Sequence, residues 1–408
     1  MRSDTFAGEP DSAGLLRAGA TRSDGQSVPL VIATILRDEG ITGVHTHIRQ
    51  LRQYLNESNK TATLLTPFSW SRTLAVPVFG PRLVLQRCSG TADVAWYRHW
   101  HEVFLRKGLS SWLAEAGDCV VYAQCPLSAR AALRARRGPH QRVIMAVHFS
   151  VSQADEWAVK TLIKQDGALF RAIRQAERET IPQVDGLVYV SRWAQHGLLS
   201  WLPEAAAVPS SVIENFVAPL QTSNQEPIGD LVTVGNLLLA KNHRFLLDVL
   251  AAAKHAGRSL SLDVFGEGQL RKDLQQRAYS LGLEGQVRFR GFRRDVRDFL
   301  PRYRAYVHAS YSESSSLAII EAMAAGLPIV AGNIGPIAEL CDDGVEARFW
   351  SLDDPIKAAA TLLELLDCEP ARLQAARAAR ERFSRDFDAN LVAPRLWSFL
   401  IGMAPAAR

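Results

Sequence analysis

No apolar run in this 408-residue sequence approaches the ~20 residues that a membrane-spanning helix needs. Residues 1–27 (MRSDTFAGEPDSAGLLRAGATRSDGQS) also lack the apolar stretch of a secretory signal, so the expected location is the cytoplasm. The cysteines, Cys88, Cys119, Cys125, Cys341 and Cys368, are odd in number and form no C-x-x-C pair. That argues against a disulfide framework and against a zinc site, and they read as reduced packing residues. Neither sign of charge dominates: 47 Lys and Arg against 42 Asp and Glu give a formal charge of +5. The resulting pI of about 9.0 leans toward anionic ligands or an acidic surface, without favouring nucleic acid. What remains, 47% hydrophobic and 22% charged residues, is the composition of a globular protein with two comparable cores.

Residues 1–27 carry no hydrophobic period and are expected to form a disordered tail. Beyond them, short β-rich runs alternate with longer helical patterns: PLVIATI (29–35), a helix over 44–56, TATLLT (61–66), CVVYA (119–123), RVIMAV (142–147) and GLVYV (186–190). Such alternation predicts a parallel sheet wrapped by helices. A last short strand and a polar, proline-containing linker put a domain boundary near residue 222. The pattern then restarts with DLVTVG, LSLDVFG, QVRFRG, AYVHAS and LPIVAG. The expected architecture is therefore α/β, with two doubly wound domains, 28–222 and 223–408, and a ligand crevice between their strand ends.

The window HASYSESSSLAIIEAMAAGLPIVAG reads as strand, serine-rich loop, helix over about 316–325, and strand. Glu313 falls in the loop and Glu321 in the helix, roughly 8 to 12 Å apart at a rise of 1.5 Å per residue. That strains or exceeds the ~5 to 9.5 Å of a glycosidase carboxylate pair. Two acids with the free amides of Ser315, Ser316 and Leu317 between them suit a ligand with hydroxyls at both ends and phosphate in the middle. A sugar nucleotide has that layout. The alternative is a serine-capped amphipathic helix with a solvated glutamate. In VGNLLLAKNHRFLLDVL, Lys241 precedes a helix at the crevice, where an ammonium can pair with a diphosphate or stay solvated. Gly266 and Gly268 in VFGEGQL form a Gly-x-Gly turn after a strand, a weak signal alone. In the first domain, Gly43 lies in the turn between the first strand and helix, and His148 ends a buried run, where its imidazole can meet a reacting sugar or stay structural.

These segments, with SVIENFV and VRFRGF, resemble the retaining family 4 glycosyltransferases over nearly all of the chain after residue 28. The most specific similarity is SESSSLAIIEAMAAGLPIVA to that family's E-x7-E signature. The resemblance implies the GT-B fold of two facing Rossmann-like domains, with a C-terminal segment near Trp397 packing back on the first. It further implies a nucleoside-diphosphate sugar donor, a polysaccharide or lipid-linked acceptor, and neither metal nor other cofactor. Glu313 would then contact the donor sugar, Glu321 the ribose, Lys241 the diphosphate and His148 the transferred sugar. Three positions depart from the family: Asn236 stands where an arginine is usual, Phe216 replaces a glycine, and Ser-Ser-Ser follows Glu313 in place of Gly-Phe-Pro. Arg271, Arg293 and Arg294 are candidates to replace the missing arginine. The only D-x-D, Asp386 and Asp388, lies in a C-terminal helical stretch far from any strand end.

DVAWYRHWHEVFLRKGLSSWL gathers Trp96, Tyr97, Trp100, Phe104 and Trp112 with Arg98, Arg106 and Lys107 on one helical segment. It fits either peripheral contact with an anionic membrane or a helix packed into the first core. Three competing functions stay open: transfer to a small-molecule acceptor, sugar-nucleotide epimerisation on the same fold, and a degenerate homologue that binds nucleotide or glycan without turnover.

Overall fold

A computed structural model describes residues 28–40, 42–71, 77–78, 82, 85, 89–220 and 226–403. The expected N-terminal tail, Cys88 and residues 221–225 of the expected linker lie outside them.

The first half alternates β1 (Leu30–Ala33), α1 (Gly43–Glu57), β2 (Ala62–Leu65), α2 (Gly90–Glu115), β3 (Cys119–Ala123), α3 (Pro126–Ala135), β4 (Gln141–Val147), α4 (Gln153–Val159), α5 (Ala168–Thr180), β5 (Gly186–Tyr189), α6 (Arg192–Trp201) and β6 (Ser210–Val212). Its sheet is parallel throughout, in the order β2-β1-β3-β4-β5-β6. Central strands such as β3, all five residues buried, read as continuous apolar runs because helices cover both faces. The edge strand β2 is only partly buried and keeps an alternating pattern.

The second half repeats the plan with β7 (Gly229–Val234), α7 (His243–His255), β8 (Leu262–Phe265), α8 (Arg271–Ser280), β9 (Val287–Gly291), α9 (Val296–Phe299), β10 (Tyr303–His308), α10 (Leu317–Ala324), β11 (Ile329–Gly332), α11 (Gly335–Leu340), β12 (Ala347–Trp350), α12 (Pro355–Asp367), α13 (Glu369–Asp386) and α14 (Ala389–Gly402). Its parallel order is β12-β11-β10-β7-β8-β9. The sequence pattern did not anticipate β12: ARFW is short, and its Arg348 interrupts the apolar run.

Each sheet has one place where the strand order reverses, between β1 and β3 in the first and between β7 and β10 in the second. Loops leaving such a switch point splay apart and open a ligand crevice. The loops after β1, β7 and β10 carry Gly43, Lys241 and Glu313.

The chain crosses between the domains twice, and neighbouring residues change core at each crossing. Phe216 packs with β1, β3 and β4 of the first domain, whereas Val217 packs with the second. Phe387 packs with the second domain, whereas Ala389 and the rest of α14 pack with the first. The crossings are bonded to each other, Val217 N to Phe387 O at 3.2 Å and Ala389 N to Val217 O at 3.0 Å. Along α14, Val392, Ala393, Leu396 and Leu400 are buried against first-domain strands and α1. Each such leucine contributes about 1.5 to 3 kcal/mol.

Candidate active site

Helix α10 is built from LAIIEAMA and is buried almost all round, with Glu321 its one charged residue. Gly326, at φ +69°, ends it in the left-handed conformation that a side chain rarely adopts. At the other end Ser316 is the N-cap but its hydroxyl makes no capping bond, so the first-turn amides keep their donor capacity. That tip faces the first domain: a Cβ built on Gly43 would stand 3.4 Å from Leu317 Cδ1. Gly43 itself begins α1, behind a capping box in which Thr42 Oγ1 and His45 Nδ1 approach to 2.7 Å.

Glu313 is the hub of the loop. Its Oε1 accepts from Lys241 Nζ at 2.5 Å and lies 3.0 Å from His308 Nε2. Burial opposes its ionisation, but the Lys241 ammonium and the His308 hydrogen bond outweigh it and hold the carboxyl down to about 2. Lys241 ends a single 3-10 turn, Leu239–Lys241, that Tyr311 N clasps by bonding Ala240 O at 2.9 Å. The loops after β7 and β10 thus form one unit.

Gly266 and Gly268 support that unit from beneath. A Cβ on Gly266, whose φ is +143°, would sit 1.9 Å from Gly235 O, and one on Gly268 would sit 2.4 Å from Leu237 O. These glycines serve close backbone approach between the loops after β8 and β7. The arginines considered as substitutes for a phosphate clamp already have partners. Arg271 bonds Glu267 Oε1 at 2.6 Å and Phe289 O at 3.0 Å, Arg293 pairs with Asp295, and Arg294 crosses the crevice to Glu39.

Glu321 is buried beside Arg297, Nε to Oε1 3.9 Å, and burial raises its pKa against the pull of that guanidinium. His148 closes the site from the first domain. Its Nε2 lies 3.1 Å from Gln124 Oε1, and its ring packs edge-on against His47, centroids 4.9 Å apart. Burial and the nearby His47 push its pKa well below the ordinary value, so it is uncharged at neutral pH. The Gln124 amide donates to Tyr122 O, which leaves its oxygen to accept from His148 Nε2 and leaves Nδ1 as an acceptor. His47 in turn contacts Asn215 Oδ1 and Tyr122 OH, both at 3.2 Å. The asparagine of SVIENFV therefore supports the imidazole pair from the crossing.

Serine hydroxyls tie the Glu313 loop to the first domain, a feature that sequence reasoning missed. Ser150 Oγ donates to Glu313 O at 2.6 Å, Ser191 Oγ to Ser314 O at 2.6 Å, and Ser314 Oγ to His148 O at 2.7 Å. A second contact lies beside it, where Glu339 accepts from the amides of Arg192 and Trp193 at 2.5 and 2.8 Å. Only the run of three serines hinted at this in the sequence.

The aromatic and basic segment forms α2. None of its five large aromatic residues is exposed: Phe104 is buried, and Trp96, Tyr97, Trp100 and Trp112 are half-buried. Trp96 Nε1 bonds Val78 O, and Tyr97 and Trp112 pack on the first core. Arg98 is buried against Gln153. The packing favours the core reading of this segment over the membrane one. No described helix is long and apolar enough to cross a membrane. Among the described cysteines, Cys119, Cys125 and Cys341 are buried, but Cys368 is exposed, so it is not a packing residue. Asp386 pairs with Arg382 and Arg385, while Asp388 caps α14, so both aspartates of the D-x-D are engaged in structure.

Two facing Rossmann-like domains, with the loops of both switch points meeting in a crevice, define the GT-B architecture of glycosyltransferases. Residues 221–382, most of the second domain, match the family model "Glycosyl transferases group 1", so this chain carries a glycosyltransferase group 1 domain. Glycogen synthase of Mycobacterium tuberculosis is 31% identical over 234 residues, 56% of each chain. The lipopolysaccharide core biosynthesis glycosyltransferase LpsE of Rhizobium meliloti is 30% identical over 113 residues, 28% of this chain and 32% of LpsE. The chain thus spans about half or less of these curated relatives. Among solved structures, Anabaena Alr3699/HepE in complex with UDP-glucose superposes with a TM-score of 0.68 at 16% identity, covering 91% of this chain and 99% of that one.

Proposed function

We propose that the protein is a retaining, metal-independent glycosyltransferase that moves a sugar from a nucleoside diphosphate onto a growing polysaccharide or lipid-linked acceptor. The observation that carries this reading is the Lys241–Glu313 pair at 2.5 Å, set beside the uncapped tip of α10 and facing His148. The similarity to glycogen synthase and LpsE, both glycan-building enzymes by name, supports the acceptor class. Binding of UDP-glucose by a protein of the same fold supports the donor class.

In this reading the diphosphate lies over the α10 amides with Lys241 Nζ on its oxygens, Glu321 takes a ribose hydroxyl and Glu313 the sugar hydroxyls. The bond from the anomeric carbon to the phosphate oxygen breaks through an oxocarbenium-like state. Charge growing on the departing phosphate meets preorganised donors, which lowers the barrier. The acceptor hydroxyl attacks from the face the phosphate leaves, and its proton passes to the released phosphate oxygen. Neutral His148, with Nδ1 as acceptor, orients a hydroxyl of the transferred sugar and does not supply a charge. Gly43 sets the α1 tip against Leu317 at the start of α10.

A thermal-shift screen of UDP, GDP, ADP and TDP with their sugars tests the reading. A ligand at 100 times its Kd should add about 2.7 kcal/mol of stability to the wild type. Transfer to a glycan or lipid extract, followed by determination of the anomeric configuration, should give retention. Inversion, or no response to any nucleotide, would remove the proposal.

A further inference from the structure

Helix α4 belongs to the first domain but is held at both ends against the loops of the second. Ser150, two residues before its N-cap Ser152, donates to Glu313 O at 2.6 Å. At its other end Val159 and Lys160 line a pocket with Leu238, Leu239, Ala240 and Gln269, and Lys241 follows Ala240 directly in the chain. Glu156 lies between these two anchors, half-buried, in a helix only seven residues long. Loss of surrounding water raises its pKa, the charge of Glu313 adds to the rise, and Lys160 and Lys241 pull against it. A further carboxylate therefore stands within electrostatic reach of the Lys241–Glu313 pair, and it comes from the opposite lip of the crevice.

The donor arrangement leaves Glu156 unused. Among the described residues its one ion-pair partner is Lys160, 3.6 Å away on the same helix and beyond good hydrogen-bond length. Its oxygens are thus able to accept from a ligand hydroxyl. An anionic ligand group fits poorly there, since Glu156 and Glu313 both repel it and Lys160 is already drawn to Glu156. The donor's diphosphate and ribose belong to the second domain in the function proposed above, so a carboxylate on the first domain meets the other substrate. We propose that Glu156 is an acceptor-binding residue whose carboxylate accepts a hydrogen bond from an acceptor hydroxyl, and that the acceptor end it selects is a neutral sugar rather than a phosphorylated group. This rests on the proposed function and narrows its acceptor class.

The test offers UDP-, GDP-, ADP- and TDP-glucose as donors, maltose, cellobiose and lactose as neutral acceptors, and glycerol 3-phosphate as an anionic one. Glu156→Ala should lower kcat/KM for the disaccharide that wild type uses by about 10- to 100-fold, chiefly through KM, and leave donor Kd and donor hydrolysis by water within twofold. Glu156→Asp should recover part of the loss, and Glu156→Lys should shift preference toward glycerol 3-phosphate by about tenfold or more. An acceptor kcat/KM within twofold of wild type in Glu156→Ala overturns the proposal. So does a donor Kd weakened as much as the acceptor KM, which would make Glu156 a donor residue, or a free-state melting temperature lowered by several degrees, which would make it structural. Wild type that binds a donor but prefers glycerol 3-phosphate, or transfers to none of the three disaccharides, overturns the acceptor class while the proposed function stands. If wild type neither binds nor hydrolyses any of the four donors, the proposed function falls, and this inference with it.

Discussion

Glu313 and Lys241 neutralise each other in the free protein, and each removal has a distinct signature. Lys241→Ala deletes one charge-assisted bond to phosphate, worth about 1.5 to 3 kcal/mol, so nucleoside diphosphate affinity should fall ~10- to 100-fold by titration calorimetry. Glu313→Gln should leave diphosphate affinity closer to wild type and lower kcat, because its carboxylate faces the sugar in the proposed site. The two also differ in pH dependence. A carboxyl held at about 2 against its usual 4.5 stabilises the fold fully above the usual value, and that contribution is lost as pH falls toward 2. The melting temperatures of wild type and Glu313→Gln should therefore converge on acidification. Such pairings were only half legible in the sequence. Both residues were marked by their loops, but nothing at 72 residues' separation says that they bond to each other, or that His308 joins them.

At the scale of elements, strands with buried, continuous apolar runs were legible, as were the helix over Leu317–Ala324 and its glycine stop, since pattern and burial agree there. The Gly-x-Gly turn was legible as a turn but not in its purpose, because that depends on the backbone of a different loop. Gly266→Ala would force its methyl against the Gly235 carbonyl and displace the loop bearing Lys241. It should cost more than about 2 kcal/mol, a fall of roughly 4 °C or more in Tm, and weaken nucleotide binding as well. Helix α4 offers a contrast in sign. Glu177 on α5 accepts from Gln153 N at its start, and burial, only partly offset by Arg98, raises that carboxyl to about 7. An acid raised from its usual 4.5 costs stability as pH rises from there through 7. Relative to Glu177→Gln, wild type should lose stability across that window, measured by urea unfolding at each pH.

For the whole molecule, the closed crevice rests on side chains far apart in sequence: Ser150, Ser191 and Ser314 bond across it, and Glu339 reaches the amides of α6. No local pattern reveals such contacts, which is why the serine run read only as a departure from the family. Replacing Ser150, Ser191 and Ser314 together by alanine should enlarge the radius of gyration of the free protein in small-angle scattering. Apparent donor affinity should fall severalfold, since the binding-competent arrangement would be less populated. Helix α14 tests the other domain contact. Leu396→Ala, removing a fully buried side chain, should destabilise by about 2 to 5 kcal/mol and be felt first in the first domain, as read by hydrogen exchange of β1 and β3.

The paired crossings have a mechanical consequence. A single connecting strand lets two bodies swivel about the bond as well as swing, but Val217 and its neighbours Phe387 and Ala389 run side by side and hold one another. Two tethers joined in this way resist torsion more than one would, which favours a swing that parts the crevice lips over a swivel. Each return then presents Leu317 to Gly43 and Glu313 to His148 in the same alignment, and the crossing that guides it also carries supports of the site, since Asn215 contacts His47 and Ala218 O accepts from Arg297 beside Glu321.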